Sequence, residues 1–190
     1  MNVSERFEVG RSIDDVWPLF KDVPGLAQCL PGAELTSVND DGSYSGKVSV
    51  KLGPISASFE GKATVDFDDQ AHTARIEGRG VDRSGGSQGQ VVVDVVLAET
   101  ATRHTDVAID AKVTLAGPIA QFGRTGLVSE VSRRLIDEFS ECVHAKLDAG
   151  TAEEASAVTA GDVKGVSLLF ASLWSSFSGW LKRLFSRSKD

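Results

Sequence analysis

A long stretch of the chain, about residues 33–116, alternates apolar or small side chains with polar ones at a period of two. Residues 44–52 and 55–67 show this alternation most clearly, with Val50 in the first segment and Val65 in the second on the apolar side. Such alternation is typical of strands that bury one face and expose the other. The sequence therefore predicts six antiparallel strands here, after a first alternating strand at residues 3–9.

Helical patterns precede and follow this predicted sheet. Two short helices are expected between residues 12 and 32, a region that two Pro-Gly pairs interrupt. The pair Gly117-Pro118 ends the sheet, and an apolar stripe predicts one long helix from there to about residue 147. This order of elements predicts an α+β helix-grip fold over residues 1–147. In that fold a curved seven-stranded antiparallel sheet wraps around the long C-terminal helix.

The predicted inward face of the sheet carries unusually small residues. Small inward residues leave space for a ligand between sheet and helix, and they can equally mark bends in the strands. We favour a ligand-sized apolar cavity. The small inward residues are Gly46, Ala57, Gly61, Ala63, Gly78, Gly80 and Ala111.

The groups needed for catalysis or metal binding are not found at productive spacings. His72, His104 and His144 lie far apart, which argues against a metal site. No glycine-rich loop opens a helix at phosphate-binding spacing, and the Gly-x-Ser-x-Gly motif is absent. The carboxylates fall mainly on outward positions. We therefore expect a binding protein without enzymatic activity.

The charge distribution divides the chain into an acidic body and a basic end. The formal net charge is −7, residues 163–190 contribute +4, and the remainder therefore carries −11. An acidic body repels nucleic acid, and a basic end favours an anionic lipid surface. The N-terminus has no apolar signal core, so we expect a cytoplasmic protein. In that compartment Cys29 and Cys142 are expected to be reduced, each as a small buried hydrophobe.

Residues 163–190 have the pattern of an amphipathic helix with serines on one face and a basic end. Its longest uncharged run, residues 165–181, spans seventeen residues and includes five serines. A transmembrane span needs roughly 20 predominantly apolar residues, so an interfacial helix fits better. The alternatives are a tail-anchored span, or a helix docked on its own domain or on a partner protein. The expected membrane-binding residues are Phe170, Leu173, Trp174, Phe177, Trp180, Leu181, Lys182, Arg183, Leu184 and Arg187.

Residues 148–162 contain no large hydrophobic residue and predict a flexible linker. As a coil, this segment would have an r.m.s. reach of about 20 Å.

Several short motifs resemble those of one protein family. They are Cys29-Leu30-Pro31-Gly32-Ala33-Glu34, Val50-Lys51-Leu52-Gly53-Pro54-Ile55, Phe59-Glu60-Gly61-Lys62-Ala63, Gly78-Arg79-Gly80 and Gly117-Pro118-Ile119-Ala120-Gln121-Phe122-Gly123-Arg124. Over about residues 2–147 the chain resembles the CoxG family of carbon monoxide dehydrogenase subunits, which belongs to the START-like (SRPBCC) superfamily.

This resemblance implies a non-catalytic accessory protein that places a molybdenum hydroxylase of the carbon monoxide dehydrogenase type at the cytoplasmic face of the cell membrane. It also implies an isoprenoid quinone, menaquinone or a similar molecule, as the hydrophobic small molecule carried in the cavity. The expected partners are thus this oxidoreductase, membrane phospholipid and the quinone, with no metal and no nucleic acid. A ligand-free membrane recruitment scaffold and a START-like cyclase or dehydratase are the alternatives.

The expected ligand-binding residues lie on the sheet, at the cavity mouth and on the long helix. Leu30 and Pro31 are placed at the mouth, and Gln121 and Phe122 at the rim where the long helix begins. Phe122, together with Gly117-Pro118, could equally serve only to seat that helix on the sheet. The full expected set is Leu30, Pro31, Ala57, Phe59, Gly61, Ile76, Gln121, Phe122, Leu127 and Val131.

Overall fold

The computed structural model of the protein describes residues 1–52, 55–124 and 127–160, and it describes their side chains except within 51–55 and 122–129. Its strands are β1 (Asn2–Val9), β2 (Ala33–Val38), β3 (Tyr44–Leu52), β4 (Ile55–Asp68), β5 (Thr73–Asp82), β6 (Ser87–Glu99) and β7 (Thr105–Ala116). Its α-helices are α1 (Ile13–Lys21), α2 (Val23–Ala27), α3 (Leu127–Asp148) and α4 (Ala152–Ala157), and a 3₁₀ helix spans Pro118–Arg124.

The seven strands form one antiparallel sheet in the order β1-β7-β6-β5-β4-β3-β2. Every neighbouring pair is antiparallel, and consecutive strands from β2 to β7 are also neighbours in space. The alternation read from the sequence therefore gave the correct strands, and the predicted seven-stranded helix-grip fold is confirmed.

Two apolar clusters lie against the inward face of this sheet. The first joins α1, the C-terminal half of α3 and one end of the sheet; its buried members are Val9, Val16, Trp17, Phe20, Cys29, Ala74, Val95, Leu97, Val107, Ile109, Phe139, Cys142 and Val143. The second is smaller and lies near the other end of α3, where Val131 packs; it comprises Ala57, Ile119, Val50, Phe59, Leu115 and Val131.

Phe139 of α3 is the residue that joins the two helices and the sheet in the first cluster. Its ring makes edge-to-face contacts with Phe7 of β1 and with Phe20 of α1, at centroid distances of 6.0 and 6.3 Å. The apolar stripe of the long helix thus faces the sheet, as its sequence spacing predicts.

The prediction that one long helix begins directly after Gly117-Pro118 is wrong. The structure has a 3₁₀ helix there, and α3 begins only at Leu127. Gly117 has a positive φ of +81°, and the backbone N–H of Ile119 donates to Ser87 Oγ at 3.3 Å. This anchoring to the β5–β6 turn directs the chain before α3, and the glycines at 123 and 126 are poor α-helix formers.

The expectation that the two cysteines are separate and reduced is also wrong. Cys29 and Cys142 are both fully buried, as expected of small hydrophobes, but their sulfur atoms are bonded. The disulfide joins the turn after α2 to the C-terminal part of α3, across 113 residues of sequence. The Cα atoms lie 5.3 Å apart, within the usual range for a disulfide.

The structure differs from the flexible linker expected over residues 148–162. The difference concerns the residues up to 160, which the structure describes. Residues 152–157 form α4, and Thr151 caps it by accepting a hydrogen bond from the Glu154 N–H at 3.1 Å. The Glu154 carboxylate accepts from the Gly150 N–H at 3.0 Å, which resembles a capping box. The amphipathic helix predicted over residues 163–190 lies outside the described residues.

Candidate functional site

The inward face of the sheet between the two apolar clusters is the candidate site. Its residues are apolar, yet they are only half-buried, in contrast to the closed clusters on either side. The large side chain directly beside this strip on the described strands is the half-buried Tyr44 of β3, which pairs with Ala63. The residues that form the strip are Ala63, Gly78, Val91, Ala111 and Val113. Apolar surface that stays accessible between two closed clusters is a suitable lining for an apolar ligand.

Some of the small inward residues mark close contacts and provide no space. A Cβ atom at Gly61 would lie 1.9 Å from the Arg79 carbonyl oxygen, and one at Gly46 would lie 2.8 Å from that of Glu34. These two glycines are therefore required by the close approach of neighbouring strands.

Gly80 lies close both to the backbone of β4 and to the side chain of Phe59. A Cβ atom at Gly80 would lie 3.2 Å from the Glu60 carbonyl oxygen and 3.2 Å from the Cβ of Phe59, and one at Gly89 would lie 3.5 Å from the Phe59 ring. Ala57 lies in the second cluster, so the small inward residues that remain on the strip are Ala63, Gly78 and Ala111.

The structure brings some of the predicted ligand-binding residues together and separates others. Ala57, Phe59 and Val131 meet in the second cluster, where they close one end of the strip. Ile76 packs against the first cluster at the other end. Sequence reasoning did not select Ile119, which is only 3% exposed in the second cluster. Its position directly after Gly117-Pro118 was the available signal.

The residues predicted at the mouth lie in two different places. Leu30 and Pro31 form the half-buried turn between α2 and β2, where the Leu30 carbonyl accepts a hydrogen bond from the Ala33 N–H at 3.0 Å. Gln121 is exposed on the 3₁₀ helix. The side chains of Phe122 and Leu127, and all ten predicted membrane-binding residues, lie outside the described part of the structure.

The carboxylates with shifted pKa values lie in turns and at strand ends. Asp82, at the end of β5, accepts hydrogen bonds from the Ser84 hydroxyl and from the backbone N–H groups of Ser84 and Gly85, which lower its pKa. Asp69 accepts from Lys21 and from the Trp17 indole, which lower its pKa. These carboxylates hold turns and helices in place and do not face the apolar strip as free acids or bases.

A cleft of a different character lies at β2, β3 and β4. It is an open cleft of about 480 Å³, and its polar lining makes it unsuited to an apolar molecule. It is lined by Glu34, Thr36, Ser45, Gly46, Lys47, Glu60 and Gly61.

The described residues offer neither a metal cluster nor a membrane span. Residues 1–52, 55–124 and 127–160 include no group of three or more His, Cys, Asp or Glu side chains placed to hold a metal ion. No helix in the same part of the chain is long and apolar enough to cross a membrane.

The fold defines the class of protein. Similar solved structures are a conserved protein from Geobacillus kaustophilus (TM-score 0.67, 16% identity, 77% of this chain and 95% of the other), the Zhui aromatase/cyclase from Streptomyces sp. R1128 (0.55, 16%, 78% and 93%), and a START superfamily protein from Mycobacterium smegmatis (0.54, 14%, 77% and 97%). At these identities the likeness shows the fold alone, a helix-grip fold shared with these proteins.

The family follows from the sequence. The model of the carbon monoxide dehydrogenase CoxG subunit family matches residues 6–148, and the chain belongs to this family. Comparison with curated proteins gives no significant match. Family and fold together suggest a ligand-binding accessory protein.

Proposed function

We propose that this protein is a non-catalytic accessory protein that holds one apolar molecule between the sheet and α3. The ligand we propose is an isoprenoid quinone, menaquinone or a similar molecule. The partner is a molybdenum hydroxylase of the carbon monoxide dehydrogenase type. Residues 163–190 attach the protein to the cytoplasmic face of the cell membrane, where the quinone is taken up and returned.

The half-buried apolar strip between two closed clusters is the observation that carries this proposal. Buried apolar surface is worth roughly 25 cal/mol per Å², so a strip left accessible under α3 forgoes stability that a filled core would provide. Ala63 and Gly78 are paired on β4 and β5, and Ala111 of β7 lies two strands away, opposite Val93 of β6. These small side chains leave room on the inward face of the sheet. A bound apolar ligand would cover the surface of the strip and so provide the stability that the missing burial does not.

The absence of reactive groups from the described strip argues for carriage of the ligand. General acid–base or nucleophilic catalysis needs a titratable group within hydrogen-bond reach of the substrate. The five residues of the strip offer only hydrocarbon and backbone, and Asp82 is engaged in its turn. Glu5 is half-buried opposite Ile109 on the neighbouring edge strand β1, outside the strip. A quinone carried here would not react with groups of the strip, and its redox reaction would take place with the partner enzyme.

The proposed ligand is tested by mass spectrometry of an organic extract of the protein after isolation from its host. We expect an isoprenoid quinone in the extract of the unaltered protein. The variant Ala63→Phe places a ring in the strip and is expected to lose the quinone. Its control is Thr64→Phe, one residue along β4 on the exposed face, which is expected to retain it.

Three outcomes would contradict parts of the proposal. Extracts without any apolar molecule would leave the recruitment scaffold as the better account. Quinone retained equally by Ala63→Phe and Thr64→Phe would place the ligand elsewhere. If a chain that lacks residues 163–190 still sediments with lipid vesicles as the full chain does, the proposed membrane attachment is wrong.

A further inference from the structure

The segment that follows α3 is bound to the domain beside the turn after α2. We call residues 151–160 the strap. At its end, the Ala160 N–H donates to the Gln28 carbonyl at 3.0 Å, and Ala160 is 8% exposed. Val158 packs against the first apolar cluster. The strap thus returns to the body of the domain although it contains no large hydrophobic residue.

A buried lysine of α3 also holds the strap through hydrogen bonds. Lys146 of α3 is 5% exposed, and its Nζ donates to Gln28 Oε1 at 3.1 Å and to the Ala155 carbonyl at 2.7 Å. Burial lowers the pKa of Lys146. This ammonium group replaces its lost hydration with one partner on the strap and one on the turn.

The same turn is joined covalently to α3. Cys29, the neighbour of Gln28, is bonded to Cys142, which lies one helical turn before Lys146. Three links therefore converge on two consecutive residues: the disulfide, the lysine contact and the backbone hydrogen bond of the strap.

Chain geometry then limits where the C-terminal segment begins. Consecutive Cα atoms lie about 3.8 Å apart, so residue 163 begins within about 11 Å of Ala160 and close to Gln28. A free coil of fifteen residues would have allowed about 20 Å of r.m.s. reach in any direction. The fixed starting point removes most of that freedom.

The surface beside this point is compatible with a lipid leaflet. Residues 23–33 carry no charge, so bringing them to the interface requires no charged group among them to lose its water. Pro24 is exposed, and Val23, Ala27, Leu30 and Pro31 are half-buried. Near the same place, the membrane-attaching segment leaves the domain.

From these contacts we propose that the strap fixes the orientation of the domain, so that α2 and the turn after it (residues 23–31) form the surface that meets the lipid leaflet. This inference rests on the proposed membrane attachment by residues 163–190. It adds which face of the domain is turned to the lipid, and it makes Lys146 and Gln28 positioning residues for that contact.

The test uses a cysteine reporter in the full chain without reductant, where Cys29 and Cys142 are bonded to each other. Pro24→Cys places the reporter on α2, and Thr64→Cys places its control on the outer face of β4. Each protein is treated with a water-soluble maleimide, with and without vesicles of phosphatidylglycerol and phosphatidylcholine. We expect vesicles to slow labelling at position 24 several-fold and to leave labelling at position 64 unchanged.

A second variant separates orientation from attachment. It inserts twenty Gly and Ser residues after Ala160, which leaves the domain, the strap and residues 161–190 unchanged and gives a coil of about 25 Å r.m.s. length. We expect this variant to sediment with vesicles as before, with the protection of position 24 lost.

The outcomes distinguish the two proposals. Failure of the unaltered chain to sediment with vesicles would refute the membrane attachment. Sedimentation with equal labelling rates at positions 24 and 64 would refute the orientation alone. Protection of position 24 that survives the inserted linker would also refute it, because α2 would then bind lipid without the strap.

Discussion

Reduction of the Cys29–Cys142 disulfide should strongly lower the free energy of unfolding. The bond closes a loop of 113 residues, for which the chain-entropy relation gives about 4.8 kcal/mol at 25 °C. Removal of native disulfides from small domains typically costs about 2–5 kcal/mol. With a urea slope of about 2 kcal/mol per molar, the urea midpoint should fall by about 1–2.5 M.

The assay is urea unfolding of the oxidised protein and of protein refolded with dithiothreitol, followed by tryptophan fluorescence. The double variant Cys29→Ala/Cys142→Ala is the control, because dithiothreitol should not move its midpoint. Two free thiols in the unfolded, unreduced protein would refute the reasoning. So would equal midpoints of the oxidised and reduced proteins.

Three further predictions concern the fold around the site. Phe139→Ala removes a ring that contacts two aromatic side chains and should cost about 3–5 kcal/mol in urea unfolding, whereas Phe139→Leu should cost clearly less. Gly61→Ala puts a Cβ atom 1.9 Å from a backbone oxygen and should cost about 1–3 kcal/mol. Gly10→Ala meets nothing within 4 Å and should stay within about 0.5 kcal/mol; equal effects at the two glycines would contradict the close contact. Hydrogen bonds from Lys21 and from the Trp17 indole hold the pKa of Asp69 below its usual value of 3.8. The ionised carboxylate therefore stabilises the fold above pH 3.8, and this contribution is lost as the pH falls through the lower pKa of the folded state. Asp69→Asn should therefore be less stable than the unaltered protein at pH 7, with a difference that narrows below pH 3.8; a constant difference would be the contrary result.

The sheet could be predicted from the sequence because its signal is local. The alternation from Tyr44 to Phe67 determines which side chains share a face, and one buried face fixes the register. The same alternation placed Ala57 and Phe59 inward, and the structure finds both in the second cluster.

The links between distant segments could not be predicted in the same way. Cys29 and Cys142 gave no local signal for pairing, and their bond depends on α3 crossing the turn after α2. The strap is a similar case, since Lys146 and Gln28 meet only in the folded chain. The spacing of Thr151 and Glu154 is a local capping signal for α4, although the composition of the segment around it is otherwise typical of linkers.

The meaning of the small inward residues also depended on the tertiary structure. In the sequence, Gly61 and Gly78 look equivalent, as small residues at inward positions of adjoining strands. In the structure, a Cβ atom at Gly61 collides with backbone, whereas one at Gly78 would lie 3.1 Å from Val91 Cγ1, 3.7 Å from Ala63 Cβ and 3.9 Å from the Lys62 carbonyl oxygen. The distance to the neighbouring backbone distinguishes the two glycines, and the alternation does not contain it.

Native mass spectrometry of the intact protein tests most directly the claim that one apolar molecule binds between the sheet and α3. After exposure to membranes of its host, the unaltered chain is predicted to carry one isoprenoid quinone. The Ala63→Phe variant should be detected at the mass of the polypeptide without ligand, and the Thr64→Phe variant should be detected with the ligand bound. A folded, unaltered chain that remains at its bare mass, or an Ala63→Phe variant that binds as well as Thr64→Phe, would contradict the account.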